Sequence, residues 1–210
     1  KQLFNISYEG KYVDENQLKN KGKDPVGWTQ FEEGENLNEA FSRGLIITLP
    51  VILFIIVLSI QKIMTIDTTY KLDVWTVVTV LTWIIVVNFM RILHEYIHAV
   101  FYPRTSRKNI YTNMKKGFFL IYCNAEISKK RFIVINIAPV FFQGIGLFVA
   151  WYILAGIINT NINLAMLFMS WYMIMFSSTD IYNIYYSVFK TPSHIRIVNY
   201  GLHSYWKRFQ

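Results

Sequence analysis

One pentapeptide in the chain, His94-Glu95-Tyr96-Ile97-His98, combines side chains that can bind a metal with one that can move a proton. In a helix, the two histidines, which are four residues apart, lie on one face about one turn from each other. That spacing lets two neutral imidazoles bind one Zn²⁺ ion and places the intervening glutamate near a water at the metal. The pattern therefore favours a zinc site of the hydrolase type, with His94 and His98 as ligands and Glu95 as the catalytic base.

Two imidazoles leave such a site one protein ligand short, because catalytic zinc sites usually have three. The best candidate is Asp180, the only acid in the last two apolar segments of the chain. A lone buried carboxylate carries a large desolvation cost there, and a metal ion removes it. The alternative is that Asp180 forms a salt bridge with Arg91, which lies one turn before His94. Metal binding and this salt bridge are compatible with each other. Weaker candidates lie in loops, where a surface position explains them: Glu126, Cys123, His194 and His203.

The distribution of apolar residues along the chain determines where these groups lie. The 210 residues are 53% hydrophobic, and the apolar residues form long blocks that exclude charge. Such blocks are typical of a multi-pass membrane protein in a lipid bilayer rather than of a soluble core. Much of the net charge of +8 lies in short segments beside the blocks, which the positive-inside rule explains, so we expect no nucleic-acid partner. The single cysteine, Cys123, excludes an internal disulfide.

The apolar blocks predict an all-α membrane protein with about four transmembrane helices. They run approximately from Gly44 to Ile60, Val74 to Phe101, Phe132 to Ile157 and Leu164 to Phe189. The second block is longer than the hydrocarbon layer needs, so we expect the pentapeptide at or just inside one membrane interface.

Charge and turn residues predict the orientation and the domains. The segment 104–131 carries eight basic residues against one acid, so we expect it, and with four spans both chain termini, on the cytoplasmic side. Within it, residues 117–127 are aromatic and β-prone, which predicts a small strand or hairpin beside the membrane. We divide the chain into a polar N-terminal arm (1–43), a transmembrane domain (44–189) and a basic C-terminal tail (190–210). We expect the arm to be solvated and to carry no chemistry.

Polar and small residues in the last two blocks indicate how the helices pack. Asn136 and Gln143 lie seven residues apart on one face of the third block, where they would link helices; holding a substrate is the alternative. Small residues would let helices approach each other closely in the third block and beside Asp180: Gly144, Gly146, Ser177, Ser178 and Thr179.

The order of these motifs resembles a known family. The pentapeptide ends a span, and a basic loop with Tyr122-Cys123 follows, then Ile137-Ala138-Pro139, then a last span with Asp180. Over roughly residues 40–192, this order is similar to a bacterial membrane family of zincin peptidases classed as a domain of unknown function. In broader layout it is similar to site-2-type intramembrane metalloproteases, although Asp180 is not followed by the glycine usual in their motif.

The resemblance implies His94, His98 and Asp180 as zinc ligands, Glu95 as the general base, and the cell membrane of a bacterium as the location. The resulting hypothesis is a membrane-embedded zinc metallopeptidase that cuts a membrane protein or peptide, which pairs with the edge of the 117–127 strand. The alternatives are a non-catalytic membrane protein with a structural metal or partner-assembly role, and interfacial histidines with no metal. A transporter function is disfavoured, because transporters commonly move one structural repeat against another and four spans without a repeat lack such a pair.

Overall fold

A computed structural model of the chain describes residues 5–66, 74–113 and 118–209. The polar link between the first two apolar blocks, residues 67–73, lies outside this part. Lys115 and Lys116 of the basic loop also lie outside it.

Within these ranges, helices make up most of the chain. They are α1 (Asn16–Lys19), α2 (Leu37–Met64), α3 (Val74–Phe101), α4 (Lys129–Pro139), α5 (Gly146–Leu154), α6 (Thr160–Phe176) and α7 (Ser178–Lys190), and a π-helical segment, Val140–Ile145, joins α4 to α5. The strands are β1 (Ile6–Lys11), β2 (Thr29–Gln30), β3 (Lys108–Asn113), β4 (Phe118–Tyr122), β5 (Ile127–Ser128), β6 (Ile195–Tyr200) and β7 (His203–Arg208).

Three helical stretches of the described residues are long and apolar enough to cross a membrane: Asn38–Met64, Val74–Phe101 and Lys129–Leu154. Helices α6 and α7 meet the same criterion only as a pair, and the pair is bent by 48°. The described ranges therefore contain three candidate spans, or four if the bent pair is one span. The second predicted block coincides with α3, whereas the fourth is broken at Ser177.

The all-α prediction is too narrow, because the strands form two sheets. One has the order β1-β3-β4, with β1 parallel to β3 and β3 antiparallel to β4; the other has the order β2-β7-β6-β5. The strand predicted within residues 117–127 is present as β4, which pairs with β3, a strand outside that range. The other strands were not predicted: β1 and β2 come from the arm, and β6 and β7 come from the basic tail. The arm is also not simply solvated, since Leu18 and Phe31 are buried.

Two features hold the sheets and helices together around α7. One cluster of buried side chains joins the arm, α4, α7 and β6: Phe31, Phe132, Ile135, Tyr182, Tyr186 and Ile197. In addition, α2 passes so close to α7 that a Cβ atom at Gly44 would collide with the backbone carbonyl of Ser178. The cluster and this close approach together fix the start of α7, where Asp180 lies.

Candidate metal centre

Helix α3 presents two histidines on the face that packs against α4 and α6. The imidazole rings of His94 and His98 are nearly perpendicular, and their Nε2 atoms lie 3.1 Å apart. His94 is 3% exposed, and the Phe176 ring packs against it edge-on. The helical spacing of the pentapeptide thus brings two nitrogen atoms close enough to share one ion.

A backbone carbonyl that a proline leaves free sets the orientation of His98. Its Nδ1 atom lies 2.9 Å from the carbonyl oxygen of Ile135 in α4. In a regular helix that oxygen accepts the N–H of the residue four positions later, which here is Pro139 and has no N–H. A proton on Nδ1 that is donated to this carbonyl leaves the Nε2 lone pair for a metal. Pro139 thereby acts on the orientation of His98 through the helix backbone.

Asp180 reaches the histidines because a new helix begins just before it. Helix α6 ends at Phe176, and α7 begins at Ser178 in a different direction. Asp180 therefore lies in the first turn of α7, where the partial positive charge of the helix N-terminus stabilises a carboxylate. Its Oδ2 is 3.1 Å from Nε2 of His94, and its Oδ1 is 3.4 Å from Nε2 of His98.

The three side chains fit a zinc ion in donor type and in spacing. Two imidazole nitrogens and a carboxylate oxygen are a common catalytic zinc set, and at metal distances of about 2.0–2.1 Å tetrahedral ligands lie about 3.3 Å apart. The two Nε2 atoms are 3.1 Å apart, and they lie 3.1 and 3.4 Å from different oxygens of the Asp180 carboxylate. Oδ2 of Asp180 is buried, and its close polar neighbour is Nε2 of His94; if both imidazoles are neutral, a cation is needed to balance the carboxylate charge. In the described part of the chain, one group of three His, Cys, Asp or Glu side chains has ligand atoms within 4.8 Å of one another, and it consists of His94, His98 and Asp180.

Glu95 follows His94 on α3 and meets the sheet. Its Oε2 accepts a hydrogen bond from the backbone N–H of Ile121 in β4, 3.1 Å away. Because this N–H is directed to α3 rather than to β3, it belongs to the outer edge of the strand. Within the described ranges, β4 pairs with β3 alone, so this edge has no second strand. Glu95 therefore lies between the histidines and an unpaired sheet edge.

A cavity of about 210 Å³ lies beside the cluster, and Glu95, His98 and Asp180 form part of its wall. Residues from the arm, α4, α7 and the β6–β7 hairpin form much of the rest: Glu33, Asn136, Asn183, Asn199, His203 and Ser204. The centre thus opens into a space with polar walls that could receive a ligand.

The weaker candidates lie apart from the cluster. Glu126 is 3.8 Å from Arg196, and His194 is exposed. Cys123 is buried with its Sγ 3.4 Å from Oγ of Ser106. His203 lines the cavity without joining the three possible ligands.

The predicted polar links between helices are present. Gln143 donates to the carbonyl oxygen of Met90 at 2.9 Å, which ties the π-helical segment to α3. Asn136 accepts a hydrogen bond from Asn183 at 3.2 Å, which ties α4 to α7. The guanidinium of Arg91 lies over the ring of Phe176, 5.3 Å from its centroid, while both carboxylate oxygens of Asp180 face the histidines.

The sequence patterns do not point to Glu33. It follows Phe31-Glu32 in a polar stretch typical of a solvated loop, yet it is 8% exposed and accepts the Ser204 N–H at 2.6 Å. Burial raises its pKa from the ordinary 4.5 to about 8.

The positioning role of Pro139, by contrast, has a local signal in the sequence. The proline lies four residues after Ile135, whose carbonyl it leaves without a helical partner.

Comparison with known proteins adds one finding. A profile of the family described as "putative zincin peptidase" matches residues 84–196, more than half of the chain. The matched range contains the pentapeptide and Asp180. A search of curated proteins gives no match, and a search of solved structures gives none either. The resemblance to this family is confirmed, whereas the likeness to site-2-type metalloproteases and the roles of the individual site residues stay predictions.

Proposed function

Because the chain belongs to the family that matches it over residues 84–196, we propose that it is a membrane-embedded zinc metallopeptidase that hydrolyses peptide bonds. One observation carries the proposal. Ligand atoms of His94, His98 and Asp180 lie within 4.8 Å of one another, and Glu95 stands on the wall of the cavity that adjoins them. A carboxylate beside a three-ligand centre is the arrangement that metal-assisted hydrolysis requires.

His94, His98 and Asp180 would hold the ion, and the Ile135 carbonyl would keep Nδ1 of His98 protonated. Zinc, when bound there, supplies a Lewis acid that lowers the pKa of water and polarises a carbonyl group. Glu95 takes a proton from the attacking water as a general base and passes it to the leaving amine.

The outer edge of β4 would hold the substrate in an extended conformation by backbone pairing. Extended binding suits a peptidase, because peptide bonds inside a helix are not accessible to attack. A backbone carbonyl of the incoming strand would accept the hydrogen bond that the Ile121 N–H donates to Glu95 in this structure. Substrate binding would thereby release the Glu95 carboxylate for its role as a base.

We place this activity at the cytoplasmic side of a bacterial cell membrane, with both chain termini on that side. The support is the position of His94 and His98 near the end of a candidate span, beside a strongly basic segment. The substrate class is then a membrane protein or peptide whose chain can unfold locally next to the bilayer.

The test compares wild type with Glu95→Gln, both purified in detergent, for zinc content by elemental mass spectrometry and for cleavage of a peptide mixture. We expect equal zinc in the two proteins and cleavage by wild type alone. Glu126→Gln is the matched control, because it neutralises a loop carboxylate that faces Arg196 instead of the cluster. This variant should cleave like wild type.

Two outcomes would contradict the proposal. A wild-type protein that binds zinc but cuts no peptide would favour the non-catalytic metal site. Cleavage by Glu95→Gln at the wild-type rate would remove Glu95 from the role of base.

A further inference from the structure

The cavity beside the metal cluster contains an acidic side chain that the hydrolytic mechanism does not use. Glu33 lies in the segment before α2 and lines the same cavity as His98 and Asp180. Its Oε1 accepts the backbone N–H of Ser204 in β7 at 2.6 Å. The carboxyl group is therefore held in place by the sheet and is not a flexible surface group.

Among the described residues, Glu33 has no positively charged partner. None of the ion pairs that the described residues form includes it. Its pKa is raised to about 8 by burial, and the Ser204 N–H is the one group that opposes this shift. A cation in the cavity would remove the cost of ionising this carboxyl group.

Two other polar atoms on the same wall are also without a hydrogen-bond partner among the described residues. Asn183 donates to Asn136, but its own Oδ1 is buried without a hydrogen-bond partner in the described part of the chain. Nδ1 of His203 is also buried without a partner among those residues. The unused amide oxygen of Asn183 on the same wall as the Glu33 carboxyl group favours a ligand rich in N–H donors over an apolar or acidic ligand.

We propose that Glu33 selects substrates through a protonated amine or guanidinium group that enters the cavity while the peptide bond lies at the metal cluster, an inference that depends on the proposed peptidase function. The cationic group is a lysine or arginine side chain near the cleaved bond, or the amino terminus of the peptide. Both offer several N–H donors to Glu33 and Asn183.

The experiment measures cleavage of peptides that differ near the cleaved bond in one residue, Lys, Arg, Leu or Glu, each with a free or an acetylated amino terminus. For wild type we expect kcat/KM at least about tenfold higher for the Lys or Arg peptides than for the Leu peptide. If the amino terminus is the recognised group, acetylation lowers kcat/KM instead and the side chain has little influence. The isosteric variant Glu33→Gln should lose the preference and keep its zinc.

Glu32→Gln is the matched control, since Glu32 is the adjacent residue and its side chain is exposed. It should keep the wild-type preference. A wild type that cleaves all peptides equally would overturn the inference. So would a Glu33→Gln variant with unchanged preference and a lower melting midpoint, which would make Glu33 a structural residue.

A binding experiment separates this inference from the proposed function. Fluorescent peptides are titrated into Glu95→Gln and into the double variant Glu33→Gln/Glu95→Gln, and anisotropy is recorded. We expect Glu95→Gln to bind the cationic peptide more tightly than the neutral peptide. The double variant should bind the two peptides equally well. If wild type cleaves no peptide but this binding preference is present, the peptidase proposal is refuted and the cation site is supported. If Glu95→Gln shows no preference for the cationic peptide, the cation site is refuted.

Discussion

The Glu95 carboxylate accepts the backbone N–H of Ile121 at 3.1 Å, so the helix that carries both histidines is tied to the outer edge of β4. A peptide that added a strand to this edge would need the same N–H. The two interactions therefore compete, and the proposed base is engaged when no peptide is bound.

Replacement of Ile121 by proline tests this competition. Proline removes the N–H on the outer edge, and because that N–H does not pair with β3, the sheet should tolerate the change. We expect zinc content to stay at the wild-type level and peptide cleavage to fall roughly 2- to 10-fold, because the substrate loses one backbone hydrogen bond, which contributes about 0.5–1.5 kcal/mol. Ile121→Ala keeps the N–H and should lose much less. Unchanged cleavage by Ile121→Pro would exclude pairing at this edge.

Metal content distinguishes the cluster from the other histidine of the cavity. We expect His94→Ala to lose bound zinc, because it removes one of the three converging ligand atoms. His203→Ala, which changes another histidine of the region without touching the cluster, should keep zinc at the wild-type level. Elemental analysis of the purified proteins gives the result. Equal zinc loss in both variants, or no zinc in wild type, would contradict the ligand assignment.

Pro139→Ala tests the positioning of His98. Alanine supplies the missing N–H, which would take the Ile135 carbonyl and leave Nδ1 of His98 without its partner. We expect the affinity for zinc to fall about 10–100-fold, the usual effect of losing an outer hydrogen bond to a ligand. Competition with a zinc chelator measures the affinity. Pro50→Ala, at the other proline inside a long helix, is the control and should bind zinc like wild type.

Stability as a function of pH reports on Glu33. Its pKa is 4.5 when unperturbed and about 8 in the folded chain, so between these values the folded state keeps a proton that the unfolded state has lost. The corresponding stability is fully present at low pH and is lost as the pH rises towards about 8. We expect the melting midpoint of wild type in detergent to fall more steeply between about pH 5 and 8 than that of Glu33→Gln. Parallel profiles would place Glu33 in a solvated environment.

Helix α3 and its histidines could be predicted because their signals are local. The apolar run leads from Val74 into the pentapeptide without a break, and Pro103 follows shortly after the helix ends at Phe101. Helical spacing then places His94 and His98 on one face whatever the rest of the chain does.

The break at Ser177 and the two sheets could not be predicted, because distant contacts determine them. Ser177 and its neighbours are compatible with a continuous helix, and the start of α7 is fixed where Gly44 packs against Ser178. β1 pairs with β3 across about half of the chain, Ile6 opposite Lys108, and no local pattern reports such a partner. The burial of Glu33 has the same origin, since Ser204 supplies its hydrogen bond.

The bond between Glu33 and Ser204 joins residues that are 171 positions apart, and Phe31 is tied to Ser204 as well. A ribosome that adds about 5–20 residues per second needs roughly 10–30 s to pass from one to the other. During biosynthesis, the histidines and Asp180 are therefore all made before β7 exists to hold Glu33. The wall that would select the substrate is completed last, after the groups that would cut it.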